Sequence, residues 1–324
     1  MMQKSGIIPL FTICNREYLA FALVMIRSVL AHTQRSIHFH ILHDPSVRKK
    51  DLRKMERLLA GEKNLFQVTF REMKGTQSLK TWGKRFPPLV YYRLLIPESF
   101  PEYDRCIYLD SDILLRGEIG LLYDTDLQGN MIGAVEETSR KKDCADNIPL
   151  FGKFADMGLQ DYCRKIGLDP SLPYCNSGVL LMDSGKIRSE GMERIRKALS
   201  RAGDELLYPD QDLLNLYFHD SILLLDPVWN VPVRRDVPPE GTVLHYVSKV
   251  WHNSSVDADK ALYFQELRKT PFFYSVRAEL ILYEMEATVN SAWRSPGDGL
   301  IKGTIKFIGA LFRSIIRRCF STGK

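Results

Sequence analysis

Apolar runs of strand length alternate with helical patterns from the start of the chain. Ile7 to Ile13 reads as a buried strand and Glu17 to His32 as a largely apolar helix. Ile37, Phe39 and Ile41 alternate with His38 and His40, the period of two that a strand shows. Ser46 then offers a helix cap, with Leu52, Met55 and Leu59 at helical spacing before Gly61. Leu65 to Phe70 predicts another strand, followed by Cys106 to Leu109, Met131 to Val135 and Gly178 to Met182. A helix over DQDLLNLYF and strands at Ser221 to Leu225 and Thr242 to Tyr246 complete the series. Strands and helices joined by short loops predict an α/β fold, a mainly parallel, Rossmann-like sheet flanked by helices. Residues 138 to 174 are polar and irregular, too long for an ordinary connector, and read as a lid or substrate-binding insertion.

Such a sheet binds ligands outside the carboxyl ends of its strands. The sharpest feature there is Ile107-Tyr-Leu-Asp110-Ser-Asp112, an apolar strand that ends in two carboxylates one residue apart. In extended backbone, residues i and i+2 face the same way, so Asp110 and Asp112 can share a cation. An isolated Asp-x-Asp can equally just terminate a strand, and context decides.

That context is a series of motifs: PPLVYYRLLIPESFPEYDRCIYLDSDILLRGEI, YCNSGVLLMDSGKI, YPDQDLLNLYF, LDPVWN and VLHYVSKVWH. In order and spacing, over about residues 7 to 252, they resemble glycosyltransferase family 8. The family comprises retaining, sugar-nucleotide-dependent transferases, among them bacterial lipopolysaccharide galactosyl- and glucosyltransferases and the glycogenins. The resemblance implies a GT-A fold. It also implies a divalent cation, manganese before magnesium, that bridges the phosphates of a UDP-sugar and is held by Asp110, Asp112 and His245. An imidazole among oxygen ligands suits manganese better than it suits magnesium or calcium.

Departure of UDP leaves negative charge on the diphosphate, so the site needs cations where that charge develops. Lys249 resembles the family's phosphate-contacting lysine, although Val247-Ser248 stands where the family has glycine-proline, and a solvated lysine is the other reading. Arg93 matches an arginine near the donor sugar; buried in an apolar helix it must find a partner, for which Asp110 is suited. Asn176 matches an asparagine that contacts the sugar, with a turn residue as the alternative. The acids of Asp210-Gln211-Asp212 suit a helix N-terminus in any case. By resemblance Asp210 binds sugar hydroxyls and Gln211 lies near the reacting carbon. Retention requires either a covalent intermediate or departure and attack on one face; the absence of a carboxylate at 211 favours the second. Thr12, Asn15 and Ser111 are expected to line the nucleotide, although Thr12-Ile-Cys14-Asn15 departs from the Asp-Asn-Tyr segment common in the family.

Composition narrows the picture. In 324 residues, 45% hydrophobic and 26% charged residues fit a folded chain rather than a fibrous or disordered one. Six scattered cysteines form no zinc-site spacing, and a reducing, cytoplasmic compartment is expected. The net charge of +6 is matched by six basic residues after Asp298, where no acid follows, which argues against a nucleic-acid partner. In that tail Ile301, Ile305, Ile308, Phe312, Ile315, Ile316 and Cys319 share a helical face opposite Lys302, Lys306, Arg313 and Arg317. The pattern predicts a helix lying in an anionic membrane surface, with a terminal helix packed on the protein as the alternative. No secretory signal is evident and no apolar run reaches the length of a membrane span.

The chain is therefore expected to hold a catalytic domain over 1–256, a helical extension over 257–298 and a basic amphipathic tail over 299–324. The expected activity is transfer of a hexose from UDP-glucose or UDP-galactose to a glycolipid, lipopolysaccharide or surface polysaccharide at the inner face of the plasma membrane. Alternatives are another metal-dependent nucleotide-sugar enzyme, such as a nucleotidylyltransferase, disfavoured because no glycine-rich phosphate loop follows the first strand, and an inactive membrane-bound scaffold.

Overall fold

In a computed structural model of the chain, the described residues are 6–73, 80–81, 86–137, 157–233, 242–246, 258–270 and 272–273. They divide between two compact units, one holding residues 6–232 and 242–245 and the other residue 233 and those from Tyr246 onward.

The larger unit is built on a seven-stranded sheet. Its strands are β1 (Ile7–Cys14), β2 (Ser36–His43), β3 (Leu65–Glu72), β4 (Arg105–Leu109), β6 (Ile132–Glu136), β7 (Cys175–Asp183) and β8 (Ile222–Leu224). They lie in the order β3-β2-β1-β4-β7-β6-β8. All pairings are parallel except those that β7 makes with β4 and β6, so six strands run one way and β7 runs against them. A second sheet of three short strands has the order β5-β10-β9, formed by β5 (Ile113–Leu115), β9 (Val231–Pro232) and β10 (Val243–His245).

The helices are α1 (Leu19–His32), α2 (Lys49–Leu59), α3 (Ile96–Ser99), α4 (Ile119–Tyr123), α5 (Leu159–Ile166), α6 (Ser184–Lys186), α7 (Met192–Ser200) and α8 (Pro209–Phe218). In the second unit α9 (Ala258–Arg268) lies within the predicted helical extension, and Tyr263 packs edge-on against Tyr246 with ring centroids 4.9 Å apart. Residues 274–298 of that extension, the basic tail and residues 138–156 lie outside the described residues.

The elements expected from the hydrophobic pattern stand close to the expected positions, with three local differences, while α4, α7, β5 and β9 are not among those expected. Ser46 does not cap α2: its backbone N–H and hydroxyl both bond Asp44 Oδ1, and the cap is Arg48, whose guanidinium and N–H bond Asp51. The segment carrying Arg93 is a 3-10 helix, Pro88–Leu95, rather than an α-helix. Within the stretch read as irregular, α5 forms and is closed by Gly167 at a φ of 90°, the left-handed geometry in which glycine ends a helix.

Between β2 and its neighbours sits an aromatic cluster with a pH consequence. His40 is 3% exposed, stacks on Phe11 at 4.5 Å and bonds the Tyr103 hydroxyl at 3.1 Å. Burial, with lesser contributions from nearby His38 and Arg71, lowers its pKa from 6.5 to about 3. The folded state therefore holds His40 neutral where the unfolded chain already binds a proton, and stability falls as pH drops from 6.5 toward about 3. The slope is at most one proton, about 1.4 kcal/mol per pH unit. Buried Asp212 works in the opposite sense, since its raised pKa lets the folded state take up a proton first. Denaturation of His40→Phe across the acid range is expected to show a shallower loss than the natural chain; an unchanged slope would assign the acid sensitivity elsewhere.

Candidate active site

Four segments meet where β4 ends. Asp110 and Asp112 leave β4 just before β5, and the antiparallel pairing of β5 with β10 sets His245 opposite Ile113, beside Asp112. The start of β7 runs alongside, tied by the Asp110 N–H to the Gly178 carbonyl at 2.8 Å. The first turn of α8 supplies Asp210 and Gln211, and the 3-10 helix supplies Arg93.

The ligand atoms of Asp110, Asp112 and His245 all lie within 4.8 Å of one another. His245 Nε2 is 3.4 Å from Asp112 Oδ1 and 3.8 Å from Asp110 Oδ2. Hard cations hold oxygen ligands at about 2.0–2.6 Å, so two ligands of one ion stand at most about 4–5 Å apart. Two carboxylates and one imidazole at this spacing fit a divalent cation. The backbone also leaves room for the imidazole: a Cβ at Gly178 would overlap His245 Cε1 and stand 2.9 Å from Asp110 Oδ2.

Electrostatics tie this cluster to a buried ion pair. Arg93 is 5% exposed, with Nη2 3.0 Å from Asp110 Oδ1 and Nη1 3.1 Å from Asp210 Oδ2. It also donates to the Ser177 carbonyl at 2.7 Å and lies over the Tyr108 ring at 4.5 Å. Burial opposes the guanidinium charge, but the Asp110 and Asp210 carboxylates outweigh it and keep Arg93 protonated. Burial raises the Asp210 pKa, with Arg93 holding it back. At His245 burial disfavours the imidazolium, yet Asp112 and Asp110 prevail and the pKa lies above the usual histidine value.

The structure thus brings together Arg93, Asp110, Asp112, Asn176, Asp210, Gln211 and His245, with Ser111 buried between the two aspartates. Asn176 donates to Glu137 and accepts from the Gly178 N–H and from Asn230. Thr12 stands on β1, the neighbour of β4, and Asn15 follows the end of that strand; among the described residues no hydrogen bond joins either to the cluster. The Thr12 hydroxyl is buried without a partner among the described residues, while Asn15 accepts the Tyr18 N–H and shapes the turn into α1. Lys249 lies outside the described residues.

Several contributors escaped sequence reasoning. Ser177 links three expected residues: its hydroxyl donates to Asp210 at 2.8 Å, its N–H to Gln211 Oε1 at 3.1 Å, and its carbonyl accepts from Arg93. Asp212, expected as an acid suited to the helix N-terminus, is fully buried; it accepts from the hydroxyls of Tyr162 and Tyr174 as well as from the Tyr208 N–H just before the helix. These donors are neutral, and burial lifts its pKa to about 6 despite them. Glu137 and Asn230 carry no expected role either: Asn230 closes the LDPVWN motif, and Glu137 follows the strand residues Gly133-Ala-Val-Glu136.

Comparison with known proteins agrees with this geometry. Residues 9–255 match Glycosyl transferase family 8. Glycosyltransferase GlyF of Streptococcus pneumoniae serotype 4 is 30% identical over 288 residues, spanning 81% of this chain and 61% of GlyF. Glucoside xylosyltransferase 1 of Danio rerio is 23% identical over 295 residues, spanning 82% of this chain and 68% of that protein. The chain thus covers about two thirds of the length of these relatives. The crystal structure of the galactosyltransferase LgtC in complex with donor and acceptor sugar analogs superposes with a TM-score of 0.63 at 21% identity, over 81% of this chain and 95% of that one. The mostly parallel sheet with flanking helices is that of the GT-A glycosyltransferases. The chain belongs to glycosyltransferase family 8.

Proposed function

We propose that the chain is a metal-dependent, retaining hexosyltransferase that moves galactose or glucose from a UDP-sugar to a glycolipid, lipopolysaccharide or surface polysaccharide. The observation that carries this reading is the placement of Asp110, Asp112 and His245 within ligating distance of one another, next to the buried Arg93–Asp210 pair. Asp110, Asp112 and His245 would hold the cation, manganese by its donor set. When bound, the cation supplies positive charge against the departing diphosphate.

The protein's own residues supply the remainder. Arg93 adds a second fixed positive charge at the edge of the cluster, screened from water and so effective at short range. Asp210, with one oxygen engaged by Ser177 and Arg93, orients sugar hydroxyls through its other oxygen. Gln211 is held by the Ser177 N–H and brings an amide, not a carboxylate nucleophile, to the reacting face. This favours departure and attack on the same face, with the leaving phosphate accepting the acceptor's proton. The LgtC structure, solved with donor and acceptor sugar analogs, supports a two-substrate site of this kind. Peripheral attachment to the inner face of the plasma membrane through residues 299–324 completes the reading; no described helix is long and apolar enough to cross a bilayer.

The test is UDP release from a panel of UDP-sugars with Mn2+, with Mg2+ and with chelator. Release from one donor, lost on chelation and lowered more than about 100-fold in Asp112→Asn, is expected, the scale of losing one charge-stabilising group. Undiminished release by the chelated protein or by Asp112→Asn would refute the assignment.

A further inference from the structure

Four side chains form a hydrogen-bond chain behind the metal cluster. Asn176 Nδ2 donates to Glu137 Oε2, Asn230 Nδ2 donates to Asn176 Oδ1, and His245 Nδ1 meets Asn230 Oδ1, each at 2.8 Å. Glu137, Asn230 and His245 are 4%, 6% and 4% exposed, so water is largely excluded from competing for these bonds.

The polarity of the chain is not free. A carboxylate only accepts, so Asn176 must turn its NH2 group toward Glu137. A backbone N–H only donates, and the Gly178 N–H lies 2.8 Å from Asn176 Oδ1, which demands the same orientation. The remaining lone pair of Asn176 Oδ1 takes the Asn230 NH2, leaving the Asn230 carbonyl to face the imidazole. Reversing either amide would set donor against donor or acceptor against acceptor in a buried site, at about 1–3 kcal/mol for each group left unpaired. Nδ1 of His245 must therefore carry a proton. Nε2 is left to face Asp112 and Asp110 at 3.4 and 3.8 Å.

We propose that Asn230 is a positioning residue which, held by Asn176 and Glu137, fixes the proton of His245 on Nδ1 and so presents Nε2 to the cation. This rests on the metal site of the proposed function. The other neutral tautomer would point an N–H at the cation site, and selecting the right form in advance spares the site that rearrangement. The arrangement also limits Asn176, whose oxygen is fully used and whose amide retains at most one N–H for a sugar.

Two readouts independent of catalysis test the proposal on the purified full chain. In 15N-histidine spectra of metal-free protein taken at alkaline pH, where the imidazolium has given up one proton, with His245 identified by its loss in His245→Gln, the remaining proton is expected on Nδ1 and Nε2 is expected to be bare. An unprotonated Nδ1 would overturn the proposal. In Mn2+ titrations followed by electron paramagnetic resonance, Asn230→Leu is expected to bind about 10–100-fold more weakly, the usual effect of removing a partner behind a ligating histidine. Asn230→Asp keeps an acceptor for the Nδ1 proton but sets a second acceptor against Asn176 Oδ1, so it should bind more weakly than the natural chain by less than about 10-fold, short of the loss in the leucine variant. Natural affinity in Asn230→Leu, or equal failure of the aspartate and leucine variants, would also overturn it. If the leucine variant does not fold, the spectrum and the aspartate variant decide. The parent reading fails separately: undiminished Mn2+ binding by Asp112→Asn would remove the metal site and with it the role assigned to Nε2, whatever the state of Nδ1.

Discussion

Replacing Arg93 with leucine is expected to cost about 3–5 kcal/mol of folding stability, the range for breaking a buried ion pair from one side, and to abolish sugar transfer. The guanidinium is 5% exposed and its partner Asp210 is equally buried, so the substitution strands a carboxylate that water barely reaches. Asp110 loses a partner at 3.0 Å, and the Ser177 carbonyl loses its donor. Chemical denaturation at neutral pH measures the loss. The loss should shrink as pH falls, because the stranded Asp210 already has a raised pKa and its protonation removes the uncompensated charge. Arg93→Leu with Asp210→Asn should recover part of the stability but none of the activity, since the two sites share one network. Arg93→Lys should fall between, because a single ammonium cannot span both carboxylates and the carbonyl as a planar fork does. A single leucine variant within about 1 kcal/mol of the natural chain, the range of an exposed pair, would show that the pair is not buried in solution.

The same residue shows how far the sequence is readable. One cation within Val90-Tyr-Tyr-Arg93-Leu-Leu has to be paired if the segment is buried, and Asp110 was the partner expected; both the burial and the contact are present. Strands with long apolar runs were equally legible, because burial on both faces leaves little ambiguity over 7–13 or 106–109. The direction of β7 was not. Gly178-Val-Leu-Leu-Met182 has the composition of any buried strand, and nothing local records that it runs against β4 and β6. Nor was the second sheet foreseen as a unit, since strands of two or three residues have no measurable period; yet the β5–β10 pairing is what brings His245 to Asp112. Ser177, Glu137 and Asn230 are single polar residues whose meaning lies in partners 15 to 84 positions away. Such partnerships exist only once the topology does. Asp212 misled for a related reason: an acid in the first turn of a helix suits the helix dipole wherever it stands, so its burial against Tyr162 and Tyr174 left no local trace.

Gly178→Ala is expected to lower Mn2+ affinity more than about 100-fold, beyond the 10–100-fold typical of disturbing a residue behind a ligand, while leaving the far-ultraviolet circular dichroism spectrum unchanged. The glycine is needed for space. An added Cβ would overlap the His245 ring and crowd Asp110 Oδ2 at 2.9 Å. Neither neighbour is a loose side-chain end that could move aside: the ring is bonded through Nδ1 to Asn230, and Asp110 Oδ1 receives both Arg93 and, at 2.6 Å, the Tyr108 hydroxyl. Relief must come either from His245 leaving the cluster or from β7 drawing back and losing the Asp110 N–H bond to the Gly178 carbonyl. Both outcomes separate ligands that must converge on one ion, and neither requires the sheet to unfold. Gly158→Ala serves as the control, because its Cβ would meet nothing within 4 Å and no left-handed φ is involved. Mn2+ titration of the two variants should therefore part them widely. Equal affinity for Gly178→Ala and the natural chain would mean that His245 does not ligate from the position it holds against β7, and the cluster would have to be redrawn around Asp110 and Asp112 alone.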